Sequence, residues 1–292
     1  MPDNKTSNKP STTADMVLVA RALHVREYSP PVFDDSLAFT LLPPFWKVVL
    51  SNRLLTWIMM YGLLGKQSRL MPEVYVRARW AEEIVEAAVE RGVEQVVILG
   101  AGYDSLALRR RDLMARTRLW EIDQAATQRE KFRRMDKHGL ERPANARYVE
   151  ANLETDRLET VLEAAGVDRE RPAVFVWLGV TFYLTEEATR KTLTSISSHM
   201  AAGTELCLDY MADAEHIPDD WKELRDTCAT FVAKYGEPWV SAYDPAEVPA
   251  FLQGCGFSSV DNMQPHQIPP RYLHRHPSIV FPEIMGFARA VV

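Results

Sequence analysis

The stretch Gln95 to Arg110, QVVILGAGYDSLALRR, constrains the fold of this chain more than any other. Val96-Val97-Ile98-Leu99 leaves no polar face, so it reads as a parallel strand buried on both sides. Gly100-Ala101-Gly102 then permits a tight turn with close backbone approach. Ser105-Leu106-Ala107-Leu108 restarts a helical pattern. Strand, glycine turn and helix in this order form the unit in which nucleotide-like ligands sit at the carboxyl end of a sheet. The first helical turn offers free N–H groups and a positive dipole end to an anion.

Two cofactor classes share that unit. A dinucleotide site wants a third glycine three residues after the second, and here that position is Ser105. Leu119-Trp120-Glu121-Ile122-Asp123 reads as a second strand ending in two acids. They fall roughly 20 residues on, where a ribose-binding carboxylate belongs. This order favours S-adenosylmethionine (SAM) over a nicotinamide dinucleotide.

Strands alternate with helices along the rest of the chain, which predicts a doubly wound α/β sheet. Helices are expected over 14–25 with Asp15 as N-cap, 72–91, 124–138, 155–165 and 185–200, the last capped by Thr185. A short helix is expected to open at Asp34-Asp35, and Asp244-Pro245-Ala246-Glu247 reads as a capping box for a helix ending near Gly254. Further strands are expected at 147–149, 173–178, 205–210, 258–263 and 287–292. Phe45 to Leu64 is an apolar, aromatic and Met-rich stretch, too short to span a bilayer. It reads as helices packed on the main domain and as an adaptable lid over an apolar substrate. The expected organisation is a disordered tail over 1–14, a helical cap over 15–71 and a cofactor-binding domain over 72–292.

The net charge of −6 argues against a nucleic-acid groove. Cys207, Cys228 and Cys255 lack metal-ligand spacing and suggest free thiols in a reducing compartment. With no run of membrane-spanning length and no signal-peptide core, the expected location is the cytoplasm, with no membrane or nucleic-acid partner.

Together these motifs resemble the leucine carboxyl methyltransferase family, in particular its bacterial branch of SAM-dependent methyltransferases. The markers are VRARW at Val76 to Trp80, the central QVVILGAGYDSLALRR, LWEIDQ at Leu119 to Gln124, GVTFYLTEEA at Gly179 to Ala188, and GEPW at Gly236 to Trp239. The resemblance implies a class I methyltransferase fold, a Rossmann-like, mostly parallel sheet of seven strands with the last antiparallel. It implies that Gly100, Ala101 and Gly102 approach the methionine part of SAM, while Asp104 orders the turn. Asp123 would take the ribose hydroxyls, with Glu121 the second choice, and Arg77 would pair with the SAM carboxylate. Asn152 and Leu153 stand where the family places an Asp-Leu pair against the adenine, and Leu178 where many members carry an acid.

The implied reaction is O-methylation of a carboxyl or hydroxyl group on a small, partly apolar molecule. A carboxylate acceptor needs no base near neutral pH, whereas a hydroxyl needs one within hydrogen-bond reach. The seven histidines, Asp209 and Tyr210 are the candidates, and none is singled out as the base. Tyr183 and Tyr210, near two strand ends, are candidate pocket residues. His266, His274 and His276 lie in a proline-rich loop that reads as structural, so no metal site is expected. A nicotinamide-dependent oxidoreductase and a non-catalytic methyltransferase-like binding module remain the rival readings.

Overall fold

The computed structural model describes residues 10–292. Of the tail expected over 1–14, residues 1–9 lie outside the described residues, and the remainder already contains the start of α1 (Thr12–Glu27). Ser11, not Asp15, is the N-cap: its hydroxyl accepts the Ala14 N–H at 3.1 Å. Asp15 instead pairs with Arg134 at 2.6 Å, a partner 119 residues away. Short helices α2 (Ala38–Leu41), α3 (Pro44–Ser51) and α4 (Arg53–Trp57) follow, the last running into a π-helical turn over Ile58–Leu63. The short helix expected to open at Asp34-Asp35 starts later, as α2 at Ala38: the Asp35 carbonyl accepts the Ala38 N–H at 3.1 Å in the turn before it, and the buried Asp35 carboxylate lies between Arg21 at 3.2 Å and Arg109 at 3.6 Å.

Helix α5 (Met71–Glu90) has a proline in its first turn, where the missing N–H costs nothing. It lays Val76, Trp80, Val85, Ala88 and Val89 on the sheet, with the Trp80 ring stacked 5.1 Å from Phe287. The sheet contains β1 (Gln95–Leu99), β2 (Arg118–Asp123), β3 (Ala146–Glu150), β4 (Val174–Trp177), β5 (Glu205–Met211), β6 (Ser259–Met263) and β7 (Met285–Val291). Their order is β3-β2-β1-β4-β5-β7-β6, with β7 antiparallel to both neighbours. The expected seven-stranded, mostly parallel sheet is therefore present. β1, β4 and β5 are buried at every residue, which is why their sequences carry so few exposed polar positions.

Two short helices, α6 (Leu106–Arg109) and α7 (Arg111–Met114), cross from β1 to β2. Single helices α8 (Ala125–Lys137), α9 (Leu158–Ala165) and α10 (Glu186–His199) make the next three crossovers. Thr185 caps α10 as expected, accepting the Ala188 N–H at 3.2 Å. Helices α11 (Asp219–Ala233) and α12 (Val248–Gly254) lie between β5 and β6, and α13 (Ile268–Tyr272) lies between β6 and β7.

The capping box at Asp244–Glu247 does not form. Asp244 closes a turn on the Ala246 N–H at 2.8 Å, and α12 starts only at Val248. Pro249 decides this, since a proline is tolerated in the first turn and breaks a helix interior.

Helix α5 covers one face of the sheet, and α9, α10 and α12 cover the other. A third apolar cluster joins Leu18 and Leu23 of α1 to Leu41, Val49, Met60 and Leu64, and to Tyr103 and Met135 of the main domain. The chain runs outward through β2 and β3, then returns to β4 on the other side of β1. The crevice at the carboxyl ends of β1 and β4 is the topological switch point, where such sheets bind ligands.

Candidate functional site

The turn after β1 is held by the end of β2. Gly100 and Ala101 both donate their N–H to the Ile122 carbonyl, at 2.8 and 3.2 Å. Gly100 has φ +65°, and a Cβ there would stand 2.3 Å from Val180 Cγ2. Only glycine fits. Asp123 accepts the Gly102 N–H on one carboxylate oxygen and the Gln124 N–H at 2.6 Å on the other. Burial pushes the Asp123 carboxyl up, and these two backbone N–H groups oppose the rise. Asp104 orders the turn through a local bond, its Oδ1 accepting the Leu106 N–H at 2.8 Å. Arg21 of α1 stands 3.8 Å from Asp104 and ties the N-terminal segment to the turn.

Glu121 and Asp123 share a face of β2, and only Asp123 reaches the turn. Glu121 is 1% exposed and forms a buried ion pair with Lys131 of α8. Burial pushes its carboxyl up to about 7, with Lys131 opposing and Asp104 adding to the rise. Asn152 and Leu153 follow β3 beside Asp123: the preceding Ala151 N–H donates to the Asp123 carbonyl at 3.0 Å. The Asn152 side chain closes its own loop on the Glu154 N–H at 3.1 Å.

Across the crevice, Leu178 follows β4 and is half-buried, and Gly179 comes next at φ +71°. A Cβ on Gly179 would meet Arg77 Nη2 at 2.5 Å, so the guanidinium packs closely against the glycine. Arg77 Nη1 is already engaged, donating to Glu73 at 3.0 Å and to Asp209 at 2.8 Å. Asp209 also accepts the Gly179 N–H at 2.7 Å. Glu73 and Asp209 crowd one cation in a dry setting, and burial raises the Glu73 carboxyl well above the usual range. Asp209 thus ties Arg77 to Gly179.

The crevice is roofed by segments distant in sequence. Ala14 of α1 lies 3.5 Å from where a Gly102 Cβ would be, and the Thr13 N–H donates to Glu237 at 3.1 Å. Tyr183 stands here too, its ring 4.7 Å from Phe182. Burial pushes its phenol up to about 12, an effect that Trp239, Thr13 and Arg77 oppose and Glu237 increases. The Trp239 indole N–H is buried beside Tyr183 and makes no well-formed hydrogen bond among the described residues.

The GEPW motif was legible as a marker, but nothing local in it announces that Glu237 meets the start of α1. Tyr210 does not join the group. It is 2% exposed, on the opposite face of β5 from Asp209, and its hydroxyl donates to Asn262 Oδ1 at 3.0 Å. Gly286 makes room for its ring, since a Cβ there would come within 2.3 Å.

The histidines lie elsewhere. His24 stacks on Tyr75 at 3.7 Å, and His216 pairs with Asp213 at 2.7 Å. Among the described residues, no group of three or more His, Cys, Asp or Glu is placed to hold a metal ion, and no helix is long and apolar enough to cross a membrane.

A family model for leucine carboxyl methyltransferase matches residues 14–197, more than half of the chain. Among curated relatives, YktD of Bacillus subtilis carries the provisional name S-adenosyl-L-methionine-dependent methyltransferase. It is 24% identical over 284 residues, covering 89% of this chain and 90% of its own. A protein of Mycobacterium sp. (strain JLS) under the same provisional name is 29% identical over 291 residues, covering 89% and 93%. Two solved structures share the fold over nearly the whole length. One, a duf574 family protein from Streptomyces avermitilis, has a TM-score of 0.62 and 14% identity, covering 98% of this chain and 99% of its own. The other, provisionally named a methyltransferase, comes from Thermobifida fusca; its TM-score is 0.60 at 15% identity, covering 99% and 97%.

Proposed function

The chain belongs to the leucine carboxyl methyltransferase family, and from that premise we propose that it is a SAM-dependent O-methyltransferase acting on a small, partly apolar molecule. The observation that carries the reading is the pairing of two cradles across one crevice. On one side Asp123 closes the glycine turn; on the other the Arg77 guanidinium lies against Gly179. An amino-acid carboxylate suits the Arg77 fork, and ribose hydroxyls suit the Asp123 carboxylate.

When bound, SAM supplies a methyl group already activated on a sulfonium. The protein holds and orients it and keeps water out. Glu73 and Asp209 hold Arg77 through Nη1, and its Nη2 lies against Gly179. Asn152, Leu153 and Leu178 border the adenine side, and Asn152 offers an acceptor without the charge of an aspartate. The apolar wall of Tyr183, Phe182 and Trp239 suits an acceptor with apolar surface, and residues 15–71 act as its cap.

A carboxyl acceptor is favoured over a hydroxyl. Every acid described around the crevice is engaged: Asp123 by backbone N–H groups, Glu73 and Asp209 by Arg77, Glu237 by the Thr13 N–H. A carboxylate needs none of them as a base. Methyl-labelled SAM offered with a panel of apolar carboxylic acids and phenols tests this. Label released as methanol by mild alkali identifies an ester, alkali-stable label an ether, and no transfer to either class removes the O-methyltransferase reading.

A further inference from the structure

The outer face of the helical cap is apolar where a surface is normally polar. Nine of the twelve exposed large hydrophobic residues among the described residues fall between Phe39 and Leu63. Thr56, Met60 and Leu64 recur at four-residue spacing and are buried toward α1, as an amphipathic helix requires. The opposite side carries Leu54, Trp57 and Tyr61, which are 64%, 60% and 68% exposed. On α3, which packs beside α4, Phe45 and Val48 are also exposed, at 59% and 63%. A concentration of exposed apolar side chains of this kind marks an interaction site.

Charge identifies the occupant. From Ser36 to Pro72 there is no Asp or Glu, while Lys47, Arg53, Lys66 and Arg69 give the segment +4 in a chain of −6, leaving −10 elsewhere. Arg53, amid the apolar face, has no acidic partner among the described residues. Lys66 and Arg69 lie at the margin with α11, where Lys66 pairs with Glu223 and Arg69 stands 4.8 Å over the Trp221 ring. On the other flank Lys47 lies 2.7 Å from His138. A second copy docking this face symmetrically would bring Arg53 and Lys47 of both copies into one interface, and among the described residues neither forms an ion pair with an acid. Apolar side chains, a tryptophan and a tyrosine with basic residues and no acids are the composition of a segment lying in a bilayer interface.

We propose that the face formed by α3, α4 and the π turn docks on the surface of an anionic phospholipid bilayer, without spanning it. Leu54, Trp57 and Tyr61 enter the headgroup boundary, and Arg53 and Lys47 meet the lipid phosphates. The inference stands apart from the chemistry of the crevice.

The test is flotation of the full chain with vesicles of phosphatidylcholine containing phosphatidylglycerol, and with vesicles of phosphatidylcholine alone. The wild type is expected on the anionic vesicles, with binding weakened by salt. Arg53→Glu is expected to weaken binding at least about tenfold, since each basic residue near an anionic surface contributes about fivefold and the reversal also adds a repelled charge. The triple change Leu54→Glu, Trp57→Glu and Tyr61→Glu is expected to abolish it, with an unchanged thermal midpoint because all three side chains are exposed. The proposal is overturned if the wild type stays off anionic vesicles, binds neutral ones equally well, or floats no better than the triple variant. It is equally overturned if sedimentation shows a dimer that the triple variant dissolves.

Discussion

Gly100→Ala is expected to destabilise the protein by about 2–5 kcal/mol, in two separable parts. Placing a Cβ at φ +65° costs about 1–2 kcal/mol for an L residue. The same Cβ stands 2.3 Å from Val180 Cγ2, and forcing an extra carbon into a packed site costs about 1–3 kcal/mol more. Gly139 isolates the first part, because its φ is +63° and nothing lies within 4 Å of a Cβ there. Gly139→Ala should therefore cost only about 1–2 kcal/mol. Val180→Ala removes the clashing methyl, so a double-mutant cycle with Gly100→Ala should return a favourable coupling of about 1–3 kcal/mol. Urea unfolding at constant m measures all four variants. If Gly100→Ala falls within about 0.5 kcal/mol of the wild type, or shows no coupling to Val180, the close approach of the turn to the segment after β4 is refuted.

Arg77→Lys should weaken S-adenosylhomocysteine binding at least about tenfold, because a point charge replaces a fork. The affinity for methylthioadenosine, which lacks the amino-acid carboxylate, should change less than about twofold; equal losses for both ligands would place Arg77 elsewhere. Lys131→Met strands the buried Glu121 charge and should cost about 3–5 kcal/mol in urea unfolding at pH 8. Glu121 is held near 7 in the fold against an ordinary 4.5, so between those values the folded state binds a proton that the unfolded chain does not. Stability from this group is greatest toward pH 4.5 and falls as pH rises to 7. The double variant Glu121→Gln/Lys131→Met should flatten that fall, and an unchanged slope would assign it to other groups. Tyr210→Phe should lose about 1 kcal/mol through its bond to Asn262 and leave ligand affinity intact; a large affinity loss would return Tyr210 to the pocket.

The frame was legible wherever local pattern decides structure. The β1 run, the glycine turn and the strand ending at Asp123 follow from burial and period alone. What stayed hidden is set by partners far along the chain. Arg77 meets Asp209 across 132 residues, and Thr13 meets Glu237 across 224.

Tyr210 lies away from the Asp209 side of β5, and the sequence carries a signal for this. Strand alternation sends it to the face opposite Asp209, so the two cannot serve one pocket. Helix α11 was also readable, with Asp219 and Asp220 in its first turn and Trp221, Leu224, Cys228 and Val232 on one buried stripe. The start of α1 was misjudged because Asp15 and Ser11 are both good caps, and only the distant Arg134 takes Asp15 away. The exposed face of the cap could not be read at all, since its apolar residues look like core until their surroundings are known.

Calorimetric titration with S-adenosylhomocysteine, beside NADH and an Asp123→Asn variant, tests the central claim most directly. The account predicts saturable binding of S-adenosylhomocysteine and none of NADH. It predicts at least about tenfold weaker binding by the variant, a loss of 1.4 kcal/mol or more. Absence of S-adenosylhomocysteine binding by the folded wild type, or equal binding by Asp123→Asn, would contradict it.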